Sequence, residues 1–412
     1  MKQIVVMVTS SYPRFPGDSV GTFMEPIAKG IAARGHEVHL VAPWHPRITR
    51  GREEDGVFFH FFRYAPVRAL NVFGYAAGMR ADERLRLGAW AAAPLAMAAG
   101  WFKTLRVAQK QRATLMHAHW VVPGGVIAAA ARPQLPLVVS LHGSDVFVAE
   151  RVAPARAAAR RVFRRAALVT ACSADLATRA VALGAAGDRM EVIPYGVDAD
   201  RFHRDPGARS LRRAQLRLPP ETPLIVAAGR LVRKKGFEYL IDAAAHLEER
   251  PTPAVVIAGE GDLGNELRAR AMEHGIAGRV HFLGNLPQGE VAAWFAAADA
   301  IALPSVRDDR GNVDGLPNTV LEALASATPL VTTGAGGIGA VAEHNRTALV
   351  VPQRDSYALA SALDSLLANP ARAEQIGKAG RAMILARFGW PAAAARFDAA
   401  YDRALAFKWP DR

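Results

Sequence analysis

Leu224-Ile-Val-Ala-Ala228 runs straight into Gly229-Arg230-Leu-Val-Arg233-Lys234-Lys235-Gly236-Phe237. Five consecutive apolar residues, without polar alternation, read as a strand buried on both faces, the mark of a parallel sheet. The glycines and cations that follow then sit at the strand's carboxyl end, with a helix opening near Phe237. In open α/β sheets ligands bind at such ends. Arg230 and Lys235 are fixed cations suited to a phosphate-bearing ligand, although a basic run of this kind is also what a solvated loop looks like.

The same alternation of strand and helix extends both ways along the chain. Ile4 to Val8, Glu37 to Val41, Leu137 to Leu141, Leu168 to Ala171 and Glu191 to Ile193 come before a polar, proline-bearing stretch at 201–222. Strand-like runs resume afterwards and continue to Ala348 to Val351. A chain of 412 residues exceeds one ordinary core. The expectation is therefore an α/β protein of two doubly wound domains, divided near residue 205.

A second informative stretch is Asp314-Gly-Leu-Pro-Asn-Thr-Val-Leu-Glu322. Asp314 lies in a loop before Pro317, and Glu322 falls one turn inside a helix capped by Asn318 or Thr319. The open N–H groups and positive dipole of that first turn suit a phosphate, and the two carboxylates suit ring hydroxyls. Together the segments point to a sugar-nucleotide site.

These residues, with Ala258-Gly-Glu-Gly261 and Val280-His-Phe-Leu-Gly284, resemble the donor-binding half of the retaining glycosyltransferases of family 4. Arg34-Gly-His-Glu-Val38, His142-Gly-Ser-Asp145 and Val192-Ile-Pro-Tyr-Gly-Val-Asp198 extend the resemblance over nearly the whole chain. It implies a GT-B fold, two Rossmann-like domains facing across a cleft. The expected division is 1–205 for the acceptor, 206–385 for the donor, and a helix in 386–412 returning to the first domain. It also implies transfer of a sugar from a UDP or GDP donor, retaining configuration, with no cofactor and no metal. Arg230 and Lys235 would take the leaving phosphate's charge, Glu322 the ribose, Asp314 the sugar hydroxyls with His142. Gly315, Leu316 and Asn318 would add backbone contacts, and Gly284 to Leu286 would border the base. The family's commonest first acid is Glu, where this chain has Asp314. A non-catalytic nucleotide-sugar-binding subunit and a sugar-nucleotide epimerase are the alternatives on the same fold.

Other features carry weaker signals. His117 and His119 would share one strand face, a core or cleft lining more than a metal pair. The loop from Ser10 to Gly21, and Asp145 after His142, are candidates for acceptor or phosphate contact. Gly334-Ala-Gly336-Gly-Ile-Gly339 has dinucleotide-fingerprint spacing but comes too late in the chain for a nicotinamide site.

The net charge of +13 favours acidic partners. No zinc-ligand spacing, RNA-binding aromatic signature or recognition helix accompanies it, which removes nucleic acid. An anionic membrane surface, a sugar nucleotide and an acidic polysaccharide remain, and the acceptor that the resemblance implies is a saccharide or lipid-linked saccharide. The apolar run Leu87 to Phe102 is too short to span a bilayer, but its basic flanks Arg84, Arg86, Lys103 and Arg106, with Trp90, Trp101 and Phe58 to Arg63 nearby, suit peripheral contact. The six arginines from Arg151 to Arg165 read as a solvated helix face, with attraction to a membrane surface as the functional alternative. A single cysteine, Cys172, fits a reducing compartment, so the expected location is the cytoplasm, at the inner face of the plasma membrane.

Overall fold

The computed structural model describes residues 2–18, 20–65, 71, 74–75, 79–80, 84–85, 87–248 and 251–408. The chain divides into two compact units, Met1–Tyr195 with Trp390–Arg412, and Gly196–Gly389.

The first unit holds strands β1 (Ile4–Val8), β2 (Glu37–Pro43), β3 (Glu53–Glu54), β4 (Val57–Phe62), β5 (Met79–Arg80), β6 (Arg84–Leu85), β7 (Leu115–His119), β8 (Leu137–Leu141), β9 (Leu168–Ala171) and β10 (Met190–Val192). Its helices are α1 (Met24–Ala33), α2 (Leu87–Lys110), α3 (Val126–Ala131), α4 (Ser144–Arg151), α5 (Ala153–Arg165) and α6 (Ala174–Ala182). Eight strands form one sheet in the order β10-β9-β8-β7-β1-β2-β4-β3, parallel except for the β3–β4 pair, while β5 and β6 pair separately. The central strand β1 is buried along nearly its whole length, which is why it reads Ile-Val-Val-Met-Val without alternation.

The second unit holds β11 (Leu224–Ala228), β12 (Ala254–Ala258), β13 (Val280–Gly284), β14 (Ala300–Leu303), β15 (Leu330–Thr333) and β16 (Leu349–Val351). They form one wholly parallel sheet, ordered β13-β12-β11-β14-β15-β16. Its helices are α7 (Pro206–Gln215), α8 (Phe237–Ala245), α9 (Gly264–Glu273), α10 (Gln288–Ala297), α11 (Asn318–Ala325), α12 (Ser356–Leu367) and α13 (Pro370–Arg387). The last helix, α14 (Trp390–Ala406), belongs to the first unit and packs on α1. There Asp398 takes both Arg34 and His36, and Gly30 leaves only room enough for Ala394.

The strand order carries the functional consequence. In the first unit the winding reverses between β1 and β7, and in the second between β11 and β14. A sheet that reverses there leaves a crevice beyond the carboxyl ends of those two strands, where neighbouring loops part in opposite directions. The loops in question are 9–23 and 120–125 in the first unit, 229–236 and 304–317 in the second.

The boundary falls at Tyr195, ten residues before the position expected from composition. Residues 196–205 are bound into the second unit: Phe202 is fully buried against Phe295, Arg204 donates to the Ala298 carbonyl at 3.0 Å, and Val197 bridges Gly389. A polar composition does not reveal such anchoring, because one buried aromatic and a few backbone bonds suffice.

Candidate active site

A glycine stands at the carboxyl end of three neighbouring strands of the second unit: Gly229 follows β11, Gly259 follows β12 and Gly284 closes β13. Gly229 N–H donates to Ala258 at 2.9 Å, and Gly259 N–H donates to Gly284 at 2.7 Å. Gly259 has φ +144°, and a Cβ there would collide with the Gly229 carbonyl. Gly236 has φ +64°, with the Pro304 carbonyl where a Cβ would stand. The chain can therefore turn into α8 directly beside the loop leaving β14, held by the Val306 N–H to Lys234 carbonyl bond of 2.9 Å. Gly236→Ala is expected to cost more than about 2 kcal/mol, from left-handed strain plus the clash, readable as a lower urea midpoint at unchanged slope.

That junction sets Lys234 and Lys235 against the second loop. Lys234 Nζ lies 2.9 Å from Asp314 Oδ1 and Lys235 Nζ 2.6 Å from Oδ2. Burial pushes the Asp314 carboxyl up, but the two ammonium groups outweigh it and hold the pKa well below the usual carboxylate range. Arg230 is exposed, and Asp314 and Asp262 are the negative charges that act on it. Arg230, Lys235 and Asp314 thus occupy one electrostatic neighbourhood. The resemblance implies that Asp314 holds sugar hydroxyls; here each of its oxygens faces a lysine, and Lys234, which the sequence shows only as one member of a basic run, is buried beside Lys235.

Glu322 is 7% exposed on α11 and accepts from Gln288 Nε2 at 2.9 Å. Burial raises its pKa to about 7, opposed by the Gln288 hydrogen bond and by the charges of Arg201 and Lys235. Arg201 in turn donates to Gln288 Oε1 at 2.6 Å. Gln288 and Arg201 carried no sequence signal, since both belong to loops or helix starts far from Glu322 in the chain. Helix α11 begins differently from expectation: Pro317 holds the cap position, no side chain caps it, and the Asn318 Oδ1 is buried without a partner. Pro317 has no side-chain acceptor, and its carbonyl takes the Val320 N–H at 3.0 Å, so no side chain neutralises the positive end of the helix dipole. Gly315 and Leu316 are buried just before this start, while Gly284, the last residue of β13 at φ +69°, and Leu286 just past it are half-buried.

The glycine-rich turn at 334–339 has a structural role. Gly336 has φ +58°, and a side chain there would strike the Asp314 carbonyl. The turn supports the Asp314 loop from beneath, as its dinucleotide-like spacing alone could not reveal.

The first unit carries a separate cluster. His142 lies half-buried beyond β8, with Nδ1 2.5 Å from the Tyr195 hydroxyl and Nε2 3.0 Å from His119 Nδ1. Burial depresses its pKa to about 3, so the ring is neutral. Both ring nitrogens are occupied, and a sugar hydroxyl would have to displace Tyr195 or His119. Phe23 stacks on Tyr195 at 4.8 Å and lies 4.8 Å from His142, with Trp120 beside them. These three aromatics come from separate loops, which hid their convergence. His117 and His119 do share a face, 4.2 Å apart, and His117 spends its nitrogens on Tyr401 and Ser140, each at 2.7 Å.

Asp145 and Gly21 differ from their expected part. Asp145 is buried and accepts from the N–H groups of Val121 (2.8 Å), Gly143 (3.1 Å) and His142 (3.2 Å). A carboxylate so engaged shapes the loop and has little left for an acceptor. Gly21, at φ +66°, lies against Ser11 in a loop closed by the buried Arg14–Asp18 pair at 2.6 Å. The arginines of α5 also do more than meet solvent: Arg160 donates to Leu183, Arg165 to Pro133 and Leu135, and Arg156 to Ala149 and Glu150. Arg86 and Trp90 lie outside the described residues and side chains.

Comparison with known proteins agrees with this geometry. The profile for glycosyl transferases group 1 matches residues 209–383 and that for glycosyltransferase family 4 matches residues 20–201. The chain is 35% identical over 279 residues to the GDP-mannose-dependent alpha-(1-6)-phosphatidylinositol monomannoside mannosyltransferase of Mycobacterium tuberculosis, covering 67% of this chain and 71% of that one. It is 30% identical to a D-inositol 3-phosphate glycosyltransferase of Jonesia denitrificans, covering 94% and 92%. Among solved structures, sucrose-phosphate synthase from Thermosynechococcus elongatus superposes with a TM-score of 0.79 at 21% identity, covering 98% of this chain and 100% of that one. Anabaena HepE in complex with UDP-glucose superposes at 0.76 and 20% identity, covering 97% and 99%. With a relative at this identity and coverage, and two-domain α/β neighbours of GT-B fold, the chain belongs to glycosyltransferase family 4 and is a glycosyltransferase.

Proposed function

We propose that the protein moves a glycosyl group from a UDP- or GDP-linked donor to a hydroxyl of a saccharide or lipid-linked saccharide, retaining anomeric configuration and using no metal. The setting is cytoplasmic synthesis of cell-surface polysaccharide or glycolipid. The observation that carries this reading is the Asp314 carboxylate shared by Lys234 and Lys235 at the β11–β14 crevice, with Arg230 in range and an uncapped helix start in the adjoining loop.

The ion pairs are a resting arrangement that a diphosphate can exchange into. Phosphate oxygens compete for Lys235 and Arg230, leaving Lys234 on one Asp314 oxygen and releasing the other to accept from sugar hydroxyls. The anomeric C–O bond then breaks with its electron pair going to the diphosphate, whose growing charge meets the two cations and the α11 dipole. The acceptor oxygen bonds to the anomeric carbon on the face of departure, and its proton passes to the leaving phosphate oxygen. Glu322, steadied by Gln288, accepts from the ribose. His142 is assigned to a sugar hydroxyl on the family pattern alone.

Resemblance to a GDP-mannose-dependent relative favours the guanine nucleotide. Calorimetry should show GDP-mannose binding at least tenfold tighter than UDP-glucose; the reverse order would reassign the base. Because fixed side chains supply the positive charge, turnover should be unchanged by EDTA. Loss of turnover restored by added magnesium or manganese would overturn the metal-free mechanism.

A further inference from the structure

Helix α2 of the first unit presents an outward stripe at helical spacing: Leu95, Ala98, Trp101 and Phe102, followed by Arg106, Gln109 and Lys110. Leu95, Trp101 and Phe102 are 60%, 40% and 50% exposed. Single exposed apolar residues are ordinary, but Leu95 and the adjacent Trp101 and Phe102, within about two turns of one helix, form a patch that calls for a covering. Beside it, β4 and the second half of α2 line a pocket of about 470 Å³ whose charged members are Arg63, Lys103, Arg106 and Lys110, with no carboxylate among the described residues that line it. Helix α2 contains no Asp or Glu at all. The face is held rigid, since Gly100 brings the helix down onto Phe62 and Ile127, and Arg106 lies over Phe102 at 4.5 Å and Arg63 over Trp44 at 4.0 Å.

Charge and apolarity are graded along the helix instead of being mixed. From Leu95 to Phe102 the stripe is apolar over roughly 10 Å of axis, about the depth of an interfacial segment, and from Lys103 to Lys110 it is cationic. A bilayer with anionic headgroups offers that sequence of environments, acyl boundary below and phosphate above. Among the described residues no helix is long and apolar enough to cross a membrane, so the contact is one of docking. We propose that this face of the first unit docks on an anionic bilayer, with lipid phosphates held by Arg63, Lys103, Arg106 and Lys110 while Leu95, Trp101 and Phe102 enter the acyl boundary. None of these residues takes part in the donor chemistry above, so the two readings stand or fall separately.

The full chain should sediment with phosphatidylcholine vesicles containing phosphatidylglycerol at low salt, and neither with pure phosphatidylcholine nor at high salt. Lys103→Ala/Arg106→Ala/Lys110→Ala should lower the partition coefficient about a hundredfold, and Trp101→Ser/Phe102→Ser at least tenfold. Arg151→Ala/Arg161→Ala/Arg164→Ala removes equal charge from α5 and should leave partitioning within about twofold of wild type. Thermal melts of all variants, matched to wild type, exclude unfolding as the cause. Equal loss from both triple variants, equal binding to neutral vesicles, or retention on an acidic polysaccharide without vesicle binding would each overturn the docking face.

Discussion

Lys235→Ala and Arg230→Ala are each expected to lower kcat by about a hundredfold or more at saturating donor, with a smaller change in KM. The reason is differential: the resting diphosphate already has its counter-charges, whereas the departing one gains charge as the glycosidic bond stretches, and only cations fixed in place answer that gain without reorganising. Lys235 should be the more sensitive of the two, because it also neutralises Asp314. Without it, a buried carboxylate keeps Lys234 as its near cation, at a stability cost of about 3 kcal/mol. Arg230 is exposed, so its loss should leave the melting temperature close to wild type. Steady-state kinetics with a nucleotide sugar distinguish the outcomes. A raised KM at unchanged kcat in both variants would reduce the cations to donor holders and remove the transition-state role.

The second large effect is a pH dependence centred on Glu322. Its pKa is raised by burial from 4.5 to about 7. Between those values the folded protein holds a proton that the unfolded chain has released, so stability falls as pH rises across the window, by about 3 kcal/mol, and is level above it. Glu322→Gln should remove this slope, which urea unfolding across the window measures directly. The same titration governs donor affinity, because ribose hydroxyls donate best to the ionised carboxylate. A nucleotide sugar, whose diphosphate diester does not titrate there, should bind about tenfold more tightly at about pH 8 than at about pH 6, and the Gln variant should show no such rise. A wild-type affinity flat across that range would place Glu322 away from the donor.

Much of the second unit could be read from the chain because its functional residues follow one another in a local pattern. Leu224 to Ala228 is a strand by composition, and Gly229, Arg230, Lys235 and Gly236 follow it in a fixed order that leaves few alternatives. Asp314 and Glu322 are bound to a helix start by their spacing. Lys234 was legible only as charge, since nothing in a run of three basic residues says which of them turns inward. Gln288 and Arg201 were not legible at all.

By itself the sequence determined the elements: which runs are buried strands, where helices begin, and that the glycines stand where backbones must approach, since apolar runs and positive φ are local demands of covalent geometry and burial. Tertiary structure decided the rest. The order β13-β12-β11-β14-β15-β16 puts the loop of Arg230 to Lys235 beside the loop of Asp314, about eighty residues apart in the chain, and so converts separate charges into shared ion pairs. Burial of Glu322 on α11, with Gln288 from the start of α10 bonded to it, moves its proton equilibrium, while His119 from β7 and Tyr195 after β10 occupy the His142 ring. Those outcomes depend on distances between elements and on the dielectric around each group, which no stretch of the chain carries alone.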